Sequence, residues 1–371
     1  MKSGWVTKKL GEVCEINYGT RVRRKDSRSD DYPVYGGGGE TFRWETFNRE
    51  DQCVVSRFAM SPECVRFVSG KFFLNDSGLT VDTASDGLWQ NYLDWCLFGK
   101  QDVIYALGKG SAQKNLDMRE FVNIPIPIPP LAEQKRIVAK IDAAFEKIDA
   151  LKANAERNLA NAKELFQSAL DEAMRPKPGW VEKRLGEVCA ITSVMVDPAL
   201  PQFANMIHVG GGNILSETGE LVDLKTTKEE NLRSGKFTFD KSMVLYNKIR
   251  PYLKKVARPT VSGLCSADMY PLCPNGTCTR DFLYYILLTN RFTNYAIGES
   301  ERAGMPKVNR EELFAYCAII PDALAEQKQI AKRLDYLSEK IKRLQQNYSQ
   351  QIADCTEMRQ AILREAFEGR L

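Results

Sequence analysis

The chain repeats its framework but not what the framework carries. GWVTKKLGEVC, Gly4 to Cys14, returns as GWVEKRLGEVC, Gly179 to Cys189, 175 residues later. LAEQKRIVAKID, Leu131 to Asp142, returns as LAEQKQIAKRLD, Leu324 to Asp335, 193 residues later. The second displacement also lays Glu164, Leu165, Leu170, Glu172 and Ala173 on Glu357, Met358, Leu363, Glu365 and Ala366. The chain is therefore two copies of one plan: an opening motif, a variable body and a long helix. The second body is longer by 193 − 175 = 18 residues and shows no convincing match to the first. One scaffold carrying two different readers suits a single object bound at two different places.

From Ile137 the apolar positions step by four and three: Ile137, Ile141, Ala144, Ile148, Leu151, Ala155, then Asn158, Ala162, Leu165 and Ala169. The counterpart runs Ile330, Leu334, Leu337, Ile341, Leu344, Tyr348, then Gln351, Cys355, Met358 and Ile362. That is the narrow seam of a coiled coil, not the broad stripe of a helix lying on a globular core. Prolines precede both helices, and Glu133 and Glu326 sit near the positive end of each helix dipole. A helix over residues 131–173 spans ~65 Å at ~1.5 Å per residue. Chain order favours antiparallel pairing of the two helices with one body at each end. Asn158 and Gln351 share one seam position; they are either polar residues tolerated near water or a polar layer that sets register.

Composition excludes more than it selects. At 371 residues the chain can bury two cores of ordinary size. Its net charge of +4 is spread along the chain, so only local clusters argue for or against a nucleic acid. The ten cysteines form no C-x-x-C pair and His208 is the only histidine, which leaves no metal-ligand spacing; Cys273 and Cys278 merely flank a PNGT turn. With no signal peptide and no apolar run of spanning length, the expectation is free thiols in a cytoplasmic protein, away from any membrane.

The W-x-x-x-x-L-G-E-V opening, the variable body, the L-A-E-Q-K entry to a long helix, and the repetition of all three resemble the specificity subunit of type I restriction-modification systems. The first helix entry reads IPIPPLAEQK from Ile126, the second IIPDALAEQK from Ile319. The resemblance implies an α+β chain with an internal pseudo-two-fold repeat: target recognition domains at 1–130 and 176–323, with antiparallel coiled-coil spacer helices at 131–175 and 324–371. It implies that each domain reads one half of a bipartite, asymmetric double-stranded DNA target. It also implies a non-catalytic chain that docks two methyltransferase subunits and, in the full complex, restriction subunits. The cofactors, S-adenosylmethionine, ATP and Mg, then belong to those partners and none to this chain. Recognition domains ~34 Å apart would meet the same face of B-DNA one turn apart, which makes the helices a ruler.

Candidate DNA contacts follow from residue type. RVRRKDSR, Arg21 to Arg28, supplies Arg21, Arg23 and Arg24 beside a glycine loop, Gly36 to Gly39, where side chains and backbone N–H groups can approach phosphates. The alternative is a solvated surface loop. Arg43 and Arg57 sit among aromatic and apolar residues and suit directed contacts. Within GSAQKNL, Gly110 to Leu116, the 193-residue displacement lays Lys114 on Lys307, suggesting a shared backbone contact. VLYNKIRPYLKKVARP, Val244 to Pro259, resembles a recognition segment of the family. There Asn247 suits adenine and Arg250 guanine, with Tyr252 beside them and Lys248, Lys254 and Lys255 suited to phosphates. A strand with solvent-facing lysines is the alternative.

Enzyme readings fail on particular residues. GGGG at Gly36 lacks the G-K-[ST] of a phosphate loop, and no Asn-Pro-Pro-aromatic methyltransferase motif is present. PDALAEQK, Pro321 to Lys328, carries acids that read as a helix start rather than a nuclease site, and His208 reads as a strand residue. The competing function of another class is a protein-assembly adaptor with two binding bodies on a coiled-coil spacer.

Overall fold

The computed structural model describes residues 4–111, 113–300 and 306–371. It contains two compact units, one formed by residues 1–156 with 349–371 and the other by residues 157–348. Each long helix, Leu131–Ala173 and Leu324–Phe367, therefore contributes one part to each unit.

The repeated motifs recur together because they pair. In the first unit the opening strand Val6–Lys9 lies antiparallel to Pro125–Ile128, the strand just before the long helix. In the second, Trp180–Arg184 pairs the same way with Cys317–Pro321. A one-turn helix follows each opening strand, Leu10–Val13 and Leu185–Val188. Its glutamate accepts a hydrogen bond from a backbone N–H at the helix start, Lys9 to Glu12 at 3.1 Å and Arg184 to Glu187 at 2.6 Å. Leu10 and Val13, like Leu185 and Val188, are buried beneath this clasp. The L-G-E-V motif thus shuts each body and hands the chain to its helix.

The bodies differ in sheet layout. The first is a six-stranded sheet in the order Cys14–Tyr18, Gly78–Thr83, Arg49–Ser56, Val65–Leu74, Tyr32–Tyr35, Glu40–Trp44, parallel only between the fourth and fifth. The second has a four-stranded sheet, Cys189–Ala190, Met269–Pro274, Val244–Asn247, Val256–Ala257, and a five-stranded sheet built around Gly263–Cys265. A common kernel underlies them despite the absence of sequence match. Arg49–Ser56 pairs with Gly78–Thr83 as Val244–Asn247 pairs with Met269–Pro274. Each kernel leads into a body helix, Gln90–Gly99 or Arg280–Leu288, whose apolar side chains fill the core. Tyr92, Leu93 and Leu97 join Leu10, Leu79, Phe121, Ile137 and Ile141 in the first unit. Phe282, Leu283 and Tyr285 join Leu185, Tyr246, Leu170 and Leu334 in the second.

The seam of the long helices differs from the sequence expectation by one residue in every second position. Ile141, Ile148, Ala155 and Ala162 are buried as expected, and so are Leu334, Ile341 and Cys355. The alternate positions, however, are Phe145 rather than Ala144 and Arg359 rather than Met358. Leu151, Leu165, Leu344 and Met358 are exposed, while Lys152, Leu159, Gln345 and Ile352, one residue later in each repeat or near it, are partly buried. Long aliphatic stems let charged side chains line such a seam: the Arg359 guanidinium lies 4.4 Å over the Phe145 ring and pairs with Asp149 at 3.1 Å. Within the first unit the helix halves run antiparallel, Asp149 meeting Arg359 and Arg136 meeting Leu371. Asn158 and Gln351 are both exposed, which removes the reading of a buried polar layer.

Candidate nucleic-acid interface

In both units the first kernel strand ends in a cation. Arg57 follows Arg49–Ser56 and Lys248 follows Val244–Asn247. Their main-chain bonds are equivalent. Arg57 N–H donates to Ser77 and its carbonyl accepts from Leu116 N–H, at 2.8 and 2.9 Å; Lys248 N–H donates to Asp268 and its carbonyl accepts from Val308 N–H, both at 3.0 Å. On the facing segment the carbonyl two residues earlier also accepts in both units: Lys114 from Met60 N–H, three residues after Arg57, and Pro306 from Arg250 N–H, two residues after Lys248. This register places Lys114 opposite Pro306, correcting the alignment of Lys114 with Lys307. One extra residue before the second long helix accounts for the slip, because Pro129 corresponds to Pro321 while Gln134 corresponds to Gln327. Ala112 and residues 301–305, in the two loops compared, lie outside the described residues.

In the first unit the Arg57 guanidinium is held between two rings, 4.7 Å from Tyr18 and 4.6 Å from Phe58, with no carboxylate paired to it among the described residues. Lys114 is half-buried, its ammonium 4.0 Å over the Tyr105 ring. Arg21, Arg23 and Arg24 are exposed, Arg23 pairing with Asp26 at 2.9 Å across the turn Arg24–Asp26. Arg43 is occupied differently from expectation. It donates to the Asp30 and Asp31 carbonyls at 2.8 and 2.6 Å and pairs with Glu40, so it holds the arginine loop in place. The glycine loop is pinned rather than flexible. Ser56 Oγ donates to the Gly37 carbonyl at 2.6 Å, and Arg66, a residue the sequence reading missed, donates to the carbonyls of Gly37, Gly38 and Glu63. A Cβ on Gly37 would lie 2.2 Å from the Phe58 carbonyl oxygen, so close backbone approach is why glycine stands there.

In the second unit the candidate segment divides. Arg250 is exposed at a left-handed turn position, φ 51°, and Tyr252 beyond Pro251 is exposed. Lys307, also exposed, is bridged to Ile249. These three form one accessible edge. The others point into the body. Asn247 is only 7% exposed and its amide is turned onto the Ile249 main chain, because its strand is flanked on both sides by others. Lys248 donates to the Ala267 carbonyl at 2.8 Å, and Lys255 donates to the Gly211 carbonyl. Lys254 bridges Gln167 of the long helix and Asn290, and burial holds its ammonium below the ordinary lysine range. Asn247, Lys248, Lys254 and Lys255, all expected to meet DNA, are thus hydrogen-bonded within the body on either side of the turn that bears Arg250. Arg258, unmarked in the sequence, ties the same segment to the second long helix through Asp335 at 2.6 Å.

The features weighed against catalysis have structural partners. Glu326 accepts from Trp180 Nε1 at 3.0 Å, fixing the opening strand to the helix start. His208 lies on the strand Ile207–Val209 with Nδ1 2.6 Å from Glu230; burial lowers its pKa and Glu230 opposes that. All ten cysteines are free thiols. Among the described residues no cluster of three or more potential ligands could hold a metal, and no helix is long and apolar enough to cross a membrane.

Comparison with known proteins converges on one family. The family model described as type I restriction modification DNA specificity domain matches twice, over residues 2–159 and 177–353. The specificity subunit of the type I restriction enzyme EcoDI of Escherichia coli is 25% identical over 401 residues, covering 99% of this chain and 88% of that protein. A chain solved in a study of complex assembly and conformational transition of the type I R-M system matches with a TM-score of 0.77 at 19% identity, over 100% of this chain and 99% of that one. The HsdS subunit from Thermoanaerobacter tengcongensis matches with a TM-score of 0.56 at 20% identity, over 100% and 98%. The double family match falls on the two repeats that the paired motifs define, and the chain belongs to the specificity subunits of type I restriction-modification systems.

Proposed function

We propose that each unit reads one half of a bipartite, asymmetric double-stranded DNA sequence, and that the long helices set the gap between the halves. The observation that carries this reading is the conjunction of a repeated clasp and helix entry with two different bodies, each ending its first kernel strand in a cation-bearing turn. A repeated framework holds position while the differing edges, Arg57 with Lys114 and Arg250 with Tyr252 and Lys307, supply different contacts. The chain is non-catalytic and works in the cytoplasm. Two methyltransferase subunits dock on the helices, supplying S-adenosylmethionine, and restriction subunits supply ATP and Mg chemistry in the full complex.

Two equivalent surfaces support the docking. Leu151 and Met358 are exposed in the first unit, Leu344 and Leu165 in the second, and the 193-residue displacement relates Leu151 to Leu344 and Leu165 to Met358. Apolar side chains kept outside the seam in both copies fit partners that bind twice. The test is methylome sequencing of a host carrying this chain with its partners. One split motif with a constant gap is expected; a single continuous motif, or no motif dependent on this chain, overturns the reading. A protein-only adaptor would also fail to confer salt-dependent duplex binding on the assembled complex.

A further inference from the structure

We infer that Gln134 and Gln327, the glutamine of each L-A-E-Q-K motif, are positioning residues that lock each body onto its long helix and so hold the gap between half-sites to one value. The inference rests on the reading of the helices as a ruler. A glutamine in the first turn of a helix is ordinarily in water, yet both are 0% exposed. Each uses its amide the same way. Gln134 Nε2 donates to the Gly87 and Pro129 carbonyls at 2.7 and 2.8 Å, and its Oε1 accepts from Trp89 N–H at 2.8 Å. Gln327 Nε2 donates to the Thr277 and Pro321 carbonyls at 3.0 and 2.9 Å, and its Oε1 accepts from Thr279 N–H at 2.9 Å.

The partners are equivalent main-chain groups. In each unit the carbonyl lies two residues before the N–H, and that N–H belongs to the residue that caps the body helix, Trp89 before Gln90–Gly99 and Thr279 before Arg280–Leu288. The third bond reaches the end of the segment that closes the clasp, Pro321 in the strand Cys317–Pro321 and Pro129 one residue after Pro125–Ile128. One side chain thus joins the body helix, the closing strand and the long helix. Side chains at the bonded positions differ, Gly87 and Trp89 against Thr277 and Thr279. A bracket made only to main-chain atoms is indifferent to which body it holds, so it persists where the bodies have diverged. An amide is the group that can do this, with two donors and an acceptor in one plane. Glutamate loses both donors, and leucine leaves two carbonyls and an N–H buried without partners.

The experiment uses the complex assembled with its methyltransferase subunits and a duplex series carrying both cognate half-sites at the natural gap and at one base pair shorter and longer. Gln134→Leu is expected to lower the preference for the natural gap about tenfold, the ratio that about 1.4 kcal/mol of lost positioning produces. Base preference within each half-site should stay as in wild type, and hydrogen exchange across residues 84–95 should accelerate. Gln327→Leu should do the same from the other unit, with exchange accelerating across residues 274–285. Should either leucine variant fail to assemble, Gln134→Glu, which keeps the acceptor for Trp89, carries the same expectation. A lower melting temperature and uniformly slower methylation, with the gap ratio unchanged, would show a merely structural role and overturn the inference. A wild-type complex that methylates all gaps alike overturns the ruler reading and the inference with it, whereas a wild-type preference left intact in the variants overturns the inference alone.

Discussion

At the residue scale, the cations that cluster in sequence separate by what their charges already meet. Arg250 has its main chain fixed by the Pro306 carbonyl and its side chain exposed, whereas Lys254 is bonded to Gln167 and Asn290. Arg250→Ala is expected to weaken binding to the cognate site by ~1–3 kcal/mol and relax preference at one base pair of the half-site read by the second unit. Lys254→Ala should instead lower the stability of the second unit by roughly 1–3 kcal/mol and leave base preference unchanged. Affinities for a panel of single-base duplex variants, alongside thermal melting, separate the two. Equal loss on every duplex for Arg250→Ala would return that arginine to phosphate contact. Asp94 gives a prediction in pH. Burial raises its carboxyl to about 6 from 3.8, and the bond from Gln90 opposes that only in part. The folded form therefore holds its proton more tightly than the unfolded chain. Its contribution is fully present below pH ~4 and is lost as pH rises through ~6, amounting to roughly 2–3 kcal/mol. Asp94→Asn, which keeps an oxygen for Gln90 to bond, should flatten that fall in melting temperature between pH 4 and 6.5.

At the element scale, the long helices show why an apolar stripe alone does not locate a seam. Both the buried and the exposed sets recur at seven-residue spacing, and the charged Lys152 and Arg359 pack where Leu151 and Met358 do not. Removing one heptad from each helix, residues 148–154 with 341–347, keeps both sets in phase and shortens each helix by ~10 Å, about three base pairs. The half-sites recognised should stay the same and the gap between them shrink. Methylation of the original motif at its original gap by such a variant would show that the helices are not the ruler.

At the scale of the whole molecule, duplication implies that a partner of the framework binds twice. Native mass measurement of the complex at saturation should show two methyltransferase copies per chain; Leu344→Glu with Leu165→Glu should leave one, and Leu151→Glu with Met358→Glu should leave the other. One copy on the unaltered chain would remove the equivalence. Much of this organisation was legible in the sequence, because periodicity and repeated motifs are local and survive in one dimension: the opening motif, the helix entry and the two-copy plan. What only the tertiary structure decided was the use of each polar side chain. Asn247, Lys248, Lys254, Lys255 and Arg43 read as DNA contacts by type, and folding gives each of them a backbone carbonyl or a neighbouring amide to bond as well. Gln134 and Gln327 carry no sign of burial in the sequence, and folding buries them against loops 45 to 50 residues away in the chain. A hydrogen bond depends on direction and distance between atoms that the chain brings together only when it closes, so its partner is not written in the spacing of residue types.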